Sequence, residues 1–302
     1  MAAATSPAVP KKVVRFGVFG GTGVYHIEGA VDVERVTIDT PYGKPSDEIT
    51  LATVNGVRCA FLPRHHHDHL YSPSDLNYRA NVYAFKMLGV EYVLAVTAVG
   101  SLREDLLPGQ LVLPTQLVDK TYLRQSTFFG NGVVCHAPFG HPICEHFRRV
   151  ALDAIRKALP HVVVHDRPAT LVTMEGPLFS TKSESLLNRQ AGGDLIGMTT
   201  ATEAKLCREA EMAYCCVSMV TDMDAWSDAP HVDVKQVMSV LAANAANALS
   251  FIKAVVTAIG ETADSLPRSE AFDAMKYSLT TKRHAISDAR LAEVELLIGK
   301  YL

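Results

Sequence analysis

The chain has 302 residues, of which 48% are hydrophobic and 20% are charged, and its formal net charge is −3. There is no basic excess to neutralise the phosphates of a nucleic acid, and no apolar run reaches the roughly 18 residues of a membrane span. The six cysteines form no metal-type CxxC pair, which predicts a reducing intracellular compartment and a cytoplasmic or nuclear protein. Residues 1–12 are rich in Ala and Pro and are interpreted as a disordered tail, and residues 13–302 as one domain.

Apolar runs and turn residues predict the elements of the first half. In chain order these are strands at 15–19, 34–38, 49–54 and 57–62, a helix from Ser74 to about residue 88, strands at 92–96 and 111–113, and a Gly-rich aromatic loop at 128–139. Asn55-Gly56 between the third and fourth strands is a strong signal for a two-residue hairpin.

The second half alternates helices with strands. The predicted elements are a helix at 144–158, two helices that open at Thr181 and Thr200, strands at 170–174, 195–198 and 214–220, a long helix from Asp233 to about residue 259, and helices at 270–278 and 285–298. Two S/T-x-x-E capping boxes, at Thr181 and Thr200, are expected to open two of these helices. This order predicts an α/β single domain with a central mixed, twisted β-sheet flanked by helices on both faces. In such folds ligands bind at the carboxyl ends of strands.

A glycine-rich turn, Gly20-Gly21-Thr22-Gly23, follows the first strand. It lacks the GxGxxG spacing of a dinucleotide-binding loop and the GK[ST] ending of a P-loop. Its backbone N–H groups and the Thr22 hydroxyl could bind an anion, while a tight turn without a ligand fits the residues equally well.

The densest polar run is Arg64-His65-His66-His67-Asp68-His69, which follows the fourth strand. Arg64 offers the planar fork that suits phosphate, and His65 can add an N–H donor. Three consecutive imidazoles also suggest a metal, but adjacent residues of an extended chain point in opposite directions and no HExxH pattern is present. Phosphate binding is favoured over a solvated loop, and a metal site is the least favoured; we predict no metal.

Two carboxylates, Asp222 and Asp224, follow the strand that begins at Tyr214 and are expected to project to the same side. Because they repel each other, one of them should be protonated or paired with a donor. A 6-aminopurine satisfies this pair, since it offers an amine donor and an N7 that accepts a proton. A simple turn with a solvated Asp or a helix cap is the favoured interpretation when these residues are considered alone.

Three other strand ends carry residues that suit a nucleoside. The small residues from Thr97 to Ser101 form a turn on which a flat ring or a phosphate can lie, and Phe179 can stack on a base. Met198 and Thr199 combine a thioether and a hydroxyl just before a helix start, which favours anions. Each of these motifs also fits ordinary packing. Because they all lie at strand ends, together they support a ligand site more strongly than any one of them does alone.

The order of eight motifs resembles that of the methylthioadenosine phosphorylases, a family of trimeric purine nucleoside phosphorylases. The motifs are GGTG at 20–23, DTPYGKPSD at 39–47, RH at 64–65, NYRAN at 77–81, TAVGSL at 97–102, EGP at 175–177, GMTT at 197–200 and TDMD at 221–224. The resemblance spans roughly residues 13–260. The chain departs from the family where it has His66, Leu178 and Gly197 in place of the usual Gly, Arg and Asn.

The resemblance implies roles residue by residue. The implied phosphate-binding residues are Thr22, Arg64, His65, Thr97, Ala98 and Thr199. The implied nucleoside-binding residues are Phe179 and Ser180 at the purine, Met198 at the ribose, Asp222 at N7, Asp224 at the amine, Val234, Val237 and Met238 around the 5′ methylthio group, His69, and His136, which would reach a neighbouring subunit's pocket.

The implied reaction is phosphorolysis of 5′-methylthioadenosine to adenine and 5-methylthioribose 1-phosphate, a step of purine and methionine salvage, with adenosine as a further candidate substrate. Asp222 would be the catalytic residue that protonates the leaving purine while phosphate attacks C1′. Open alternatives are a phosphorylase of 6-oxopurine nucleosides, a nucleosidase that uses water, and a nucleotide-binding protein without turnover. Expected partners are the nucleoside, phosphate and two further copies of the chain, with no cofactor, nucleic acid or membrane.

Overall fold

The computed structural model describes residues 14–21, 29–228 and 234–302, so the predicted tail at 1–12 lies outside the described residues. Within them, eleven strands form one sheet. The strands are β1 (Phe16–Gly20), β2 (Val31–Val36), β3 (Ile49–Val54), β4 (Val57–Pro63), β5 (Tyr92–Ser101), β6 (Leu111–Val112), β7 (Gln116–Asp119), β8 (Val164–His165), β9 (Thr170–Thr173), β10 (Leu195–Gly197) and β11 (Ala213–Asp222).

The sheet is mixed, as predicted. Its main path runs in the order β2-β3-β4-β1-β5-β10-β9-β7, and β11 pairs with β5 beside that path. β1 is parallel to β4 and β5, and β11 is parallel to β5, whereas β10 is antiparallel to β5. The carboxyl ends of β1, β4 and β11 therefore meet around the second half of β5, which is where a ligand is expected.

Six α-helices occur among the described residues: α1 (Tyr78–Met87), α2 (Glu145–Ala158), α3 (Lys182–Gln190), α4 (Thr200–Glu209), α5 (Val234–Thr262) and α6 (Asp288–Ile298). Short 3₁₀ turns occupy Glu270–Asp273, Arg283–Ala285 and Gly299–Tyr301. No described helix combines the length and the apolarity that crossing a membrane requires.

The two faces of the sheet pack against different helices. In β5, Val93 and Ala95 join a core that includes residues of α1, α4 and α6, whereas Leu94 and Val96 join one that includes residues of α2 and α5. Because both faces of β5 are buried, its sequence is a continuous apolar run and does not alternate between apolar and polar residues. The predicted single α/β domain, with helices on both faces, is confirmed.

One predicted helix start and one predicted capping box are wrong. Helix α1 begins after Asn77, whose side chain accepts from the backbone N–H of Ala80, and the Ser74 hydroxyl instead bonds to Glu175. The capping box predicted at Thr200 is also absent, because Thr200 lies inside α4 and its intended partner Glu203 binds elsewhere. The capping box at Thr181 is present as predicted. A side chain with a stronger tertiary partner does not cap its own helix.

The small residues predicted as a turn from Thr97 to Ser101 belong to β5, which runs on to residue 101. The strand continues because β11 pairs with it in parallel along this length, from Ala213 as far as Asp222. Tertiary pairing with a neighbour thus extends a strand past the point where its own residues become small and polar.

Candidate active site

A pocket of about 440 Å³ opens at these strand ends, a size typical of small-molecule sites. It is lined by eleven of the predicted residues, namely Arg64, His65, His69, Thr97, Ala98, Phe179, Met198, Thr199, Asp222, Asp224 and Met238. These side chains come from positions up to 174 residues apart, since 238 − 64 = 174. The structure therefore brings most of the predicted site into one cavity.

Arg64 follows β4 and is 2% exposed. Its Nε and Nη2 donate to the carboxylate of Glu203, and its Nη1 donates to the carbonyl of Val96 at 3.0 Å. A guanidinium has five N–H groups, so three are used and two remain, one on each terminal nitrogen. Burial alone would lower the pKa of Arg64, but the charge and hydrogen bonds of Glu203 outweigh burial and raise it. The cation is thus fixed in place, and two of its N–H groups have no hydrogen-bond partner among the described residues.

Glu203 is itself held by a third buried group. The hydroxyl of Tyr214 donates to Glu203 Oε2 at 2.9 Å, and the carboxylate side chain is 3% exposed. Sequence reasoning missed both residues. The signal was a lone Glu within the small and apolar residues that follow the GMTT motif, a position where burial requires a cationic partner.

Gly21 allows the chain to pass closely over this arginine. A Cβ at Gly21 would lie 2.7 Å from the Val96 carbonyl oxygen and 3.5 Å from Arg64 Nη1. A side chain there would displace the backbone or the guanidinium. The neighbouring Thr22, a predicted phosphate-binding residue, lies outside the described residues.

Thr199 immediately precedes α4, and its hydroxyl is buried with no hydrogen-bond partner among the described residues. A buried polar atom without a partner costs about 1–3 kcal/mol. The N-terminus of a helix attracts anions through its free N–H groups and its dipole. An anion in the pocket would satisfy the hydroxyl and the helix end together. Thr97, also buried, lines the same pocket.

His65 is held by one ring nitrogen. Its Nδ1 lies 2.9 Å from the carbonyl oxygen of Tyr71, which can only accept, so Nδ1 carries the proton. Burial, together with the nearby Arg64 charge, lowers the pKa of His65 to about 4. The neutral ring therefore presents a bare Nε2 rather than the N–H donor expected from the sequence. It can accept from a protonated phosphate, or donate once a bound dianion has raised its pKa.

Asp222 ends β11 at a shift of register opposite β5. Its Oδ2 accepts from the Thr221 hydroxyl at 2.8 Å and its Oδ1 accepts from the backbone N–H of Asp224 at 2.9 Å. The carboxylate is therefore fixed by two short local hydrogen bonds while it faces the pocket.

Asp224 is buried beside it, and the Ser185 hydroxyl donates to its carboxylate. Burial, and to a smaller degree the charge of Asp222, raises the pKa of Asp224, although hydrogen bonds from Ser185 and Ser180 oppose the rise. The prediction that one carboxylate of this pair is disposed to hold a proton thus has a physical basis in the fold. Ser180, a predicted purine neighbour, lies against this carboxylate and not on the pocket wall.

Gly100 explains how two carboxylates approach the same strand. A Cβ at this position would lie 2.9 Å from Asp222 Oδ1 and 3.3 Å from Asp224 Cβ. Any larger residue would push the pair away from β5. The expectation that both side chains project to one side of the strand end is confirmed in this respect.

Arg124, which sequence reasoning missed, supports the pocket wall from behind through Met198. Its side chain is 1% exposed and its Nε donates to Glu175 at 3.0 Å. Its terminal nitrogens donate to the backbone carbonyls of Met198 and Glu175, so one side chain joins the segments after β9 and β10. Burial alone would raise the pKa of Glu175, but hydrogen bonds from Ser74, two backbone N–H groups and Arg124 lower it to about 2.

Some predicted residues are not gathered here. The side chains of Val234 and Val237 lie outside the described residues, whereas Met238 lines the pocket and is 46% exposed. His136 does not line this pocket; its backbone N–H donates to the carbonyl of Ser278 at 2.8 Å, and the adjacent Cys135 pairs with Leu279. Its implied role in a neighbouring subunit stays a prediction.

A family model described as the phosphorylase superfamily matches residues 15–257. The chain belongs to the phosphorylase superfamily. Among its curated relatives is the S-methyl-5′-thioadenosine phosphorylase of Koribacter versatilis (strain Ellin345), which is 44% identical over 94% of this chain and 96% of that protein. The protein of the same name from Rhodospirillum rubrum is 46% identical over 83% of this chain and 85% of its own.

Solved structures of this superfamily share the fold. A methylthioadenosine phosphorylase from an antarctic soil metagenomic library is 40% identical, with a TM-score of 0.89 over 95% of this chain and 99% of its own. The Schistosoma mansoni methylthioadenosine phosphorylase, solved in complex with adenine, is 36% identical, with a TM-score of 0.75 over 82% of this chain and 92% of its own.

Proposed function

We propose that this protein is a methylthioadenosine phosphorylase, which converts 5′-methylthioadenosine and phosphate into adenine and 5-methylthioribose 1-phosphate. The observation that supports it best is one pocket with two unlike ends. One end, the anion end, holds the free fork of Arg64 and the unpaired Thr199 hydroxyl; the other, the base end, holds the carboxylate pair Asp222 and Asp224. The relatives at 40–46% identity that carry this name support the same reaction.

Under this proposal the anion end binds phosphate. Arg64 contributes two N–H groups, while Thr199, Thr97, the Ala98 segment, Thr22 and His65 complete the phosphate site. Because Glu203 already neutralises Arg64, the arginine supplies directed donors with little net charge of its own. Bound phosphate then lies beneath C1′, where its negative charge stabilises the oxocarbenium-like transition state before an oxygen bonds to C1′.

The base end receives the electrons of the breaking glycosidic bond. The bond between C1′ and N9 leaves its electron pair on the purine, and Asp222 delivers or shares a proton at N7. Asp224 accepts from the N6 amine, and its raised pKa helps the pair to retain the proton that the leaving base needs. Phe179 and Met198 lie on the pocket wall as the base and ribose contacts, and Met238, with Val234 and Val237, bounds the 5′ methylthio group.

The proposal also includes assembly and location. We propose a cytoplasmic homotrimer in which His136 reaches a neighbouring pocket. The support is that His136 lies outside this chain's own pocket, on a segment whose Cys135 pairs with Leu279. Sedimentation equilibrium would test the trimer, and a mass of one chain would contradict it.

A substrate panel tests the reaction. Methylthioadenosine, adenosine and inosine are each incubated with saturating phosphate and in phosphate-free buffer, and free base and sugar product are measured. We expect adenine and 5-methylthioribose 1-phosphate from methylthioadenosine only when phosphate is present. Release without phosphate would indicate a nucleosidase, preferential release of hypoxanthine a 6-oxopurine phosphorylase, and no release of any base a binding protein.

A further inference from the structure

Three side chains that can bind a metal meet where Asp47, just before β3, approaches the loop that follows Arg64 and His65. One donor atom each of Asp47, His66 and His67 lies within 4.8 Å of the other two, the one such cluster in the described part of the chain. His67 Nδ1 is 2.8 Å from Asp47 Oδ2, and His66 Nε2 is 3.8 Å from Asp47 Oδ1. None of the three lines the pocket, so the cluster is separate from the proposed substrate site.

The backbone of His66 removes the objection that the sequence raised against a metal. Neighbouring side chains oppose each other only on an extended chain, and His66 has a φ of 70°. This left-handed conformation turns two consecutive imidazoles to the same side, with ring centroids 4.0 Å apart. A β-carbon-bearing residue adopts this conformation at a cost, so the orientation of His66 is set by its surroundings rather than by backbone preference.

The spacing fits a small tetrahedral ion. Zn²⁺ binds imidazole nitrogen and carboxylate oxygen at roughly 2.0–2.2 Å, which places neighbouring ligand atoms roughly 3.3 Å apart. The separations of 2.8 Å and 3.8 Å from the Asp47 oxygens lie on either side of that value. Two imidazoles and one carboxylate suit zinc and similar transition ions, whereas Mg²⁺ and Ca²⁺ prefer oxygen ligands.

The groups around the cluster already orient it. Backbone N–H groups of Glu48 and His67 donate to the two Asp47 oxygens at 2.8 Å and 2.9 Å. The Asp68 carboxylate lies 3.2 Å from His67 Nε2, and the backbone N–H of Asp68 donates to His66 Nδ1 at 3.2 Å. A carboxylate in that position can accept the N–H of an imidazole that binds metal through its other nitrogen. His66 and Asp47 are largely covered, at 19% and 11% side-chain exposure.

We propose that Asp47, His66 and His67 bind one divalent transition-metal ion, with zinc as the model ion and water in the fourth position. The ion would join the segment before β3 to the loop after β4. That loop also carries His65 and His69, whose rings stack 4.9 Å apart at the pocket. The proposed ion has a structural role, since it would stabilise the position of the loop. No step of the proposed reaction involves it.

Zinc titration of the chelator-treated full-length protein tests the proposal. Binding is measured by competition with a chromophoric chelator, for the wild type and for the variants Asp47→Asn, His67→Ala and His66→Gly combined with His67→Ala. Glycine suits the positive φ at 66, so the double variant should fold, which circular dichroism checks. We expect one ion per chain in the wild type, and at least about tenfold weaker binding in each variant.

His161→Ala is the matched control, because His161 is exposed and distant in sequence from the cluster. It should bind zinc as the wild type does. Equal affinity and stoichiometry in the wild type and the double variant would overturn the proposal. So would an X-ray absorption spectrum of the zinc-loaded wild type that showed sulfur ligands or no imidazole. A spectrum with two imidazoles and oxygen ligands would support it.

Discussion

The two ends of the pocket solve opposite electrostatic problems. At the anion end, a buried cation is neutralised in advance by an ion pair with Glu203, and its remaining N–H groups face the pocket. At the base end, two carboxylates lie together, and the donors to their oxygens within the described part of the chain are hydroxyl and backbone N–H groups. The anion end is therefore built to donate hydrogen bonds without changing its charge, and the base end is built to hold or release a proton.

Because of this difference, removing a supporting residue should have different consequences at the two ends of the pocket. Removing one partner of a buried ion pair strongly destabilises the folded protein, because the other charge remains buried without a counterion. Removing a neutral donor from a buried carboxylate costs less folding stability, since the carboxylate can take up a proton instead. Substitutions at the two ends should therefore affect different measured quantities.

The largest expected effect is on the reacting carboxylate. Asp222→Asn should reduce kcat by roughly 100- to 10,000-fold, the usual contribution of a general acid. It should also shift preference toward 6-oxopurine nucleosides, whose O6 and N1–H reverse the donor pattern. Free-base release at saturating phosphate measures both. Asp228→Asn, the control, makes the same chemical change at an exposed residue and should leave kcat unchanged. A wild-type rate for Asp222→Asn would refute the role of Asp222 as the general acid.

The next effect is on the ion pair at the anion end. Glu203→Gln leaves the Arg64 charge buried without a counterion and should lower the free energy of unfolding by about 3–5 kcal/mol. It should also raise KM for phosphate more than KM for the nucleoside. Denaturant unfolding and steady-state kinetics measure the two. Tyr214→Phe, which removes one hydrogen bond to the same carboxylate but leaves the ion pair, should cost less, about 1.5–3 kcal/mol. Equal losses from both variants would contradict the ion-pair argument.

A smaller effect is expected at the support of Asp224. Ser185→Ala removes a hydroxyl that donates to Asp224 and accepts from the backbone N–H of Trp226 at 3.1 Å. Stability should fall by about 1–3 kcal/mol, and KM for the nucleoside should rise while KM for phosphate stays constant. Ser183→Ala, exposed on the same helix, is the control. A change confined to the phosphate KM would show that the two ends are not separable.

The smallest effect is spectroscopic and concerns His65. In the free protein its imidazole should titrate near pH 4, because burial and the Arg64 charge lower its pKa. The unfolded chain binds this proton near pH 6.5, so the residue reduces stability as pH falls from 6.5 towards 4. Bound phosphate should move the NMR titration midpoint upward, and His65→Asn assigns the signal. A midpoint near 6.5 without phosphate would be inconsistent with this burial.

Some features could be predicted because they depend on local chemistry. Asn55-Gly56 specifies its own hairpin, the apolar run at residues 92–96 specifies a buried strand, and Thr181 with Glu184 specifies a helix start. The residues at strand ends also indicated most of the pocket lining, whereas Met238 was implied only by the family resemblance. In each case the signal lies within a few residues of its effect.

The rest depended on contacts that sequence spacing does not encode. Glu203 looked like a helix cap until Arg64, 139 residues away, took its carboxylate, and the left-handed backbone at His66 decided which way two imidazoles face. The sequence by itself therefore determined the α/β architecture and the chemical groups that line the site. Only the tertiary structure decided which charges are paired and which donors stay free, because pairing depends on burial and on partners from distant strands.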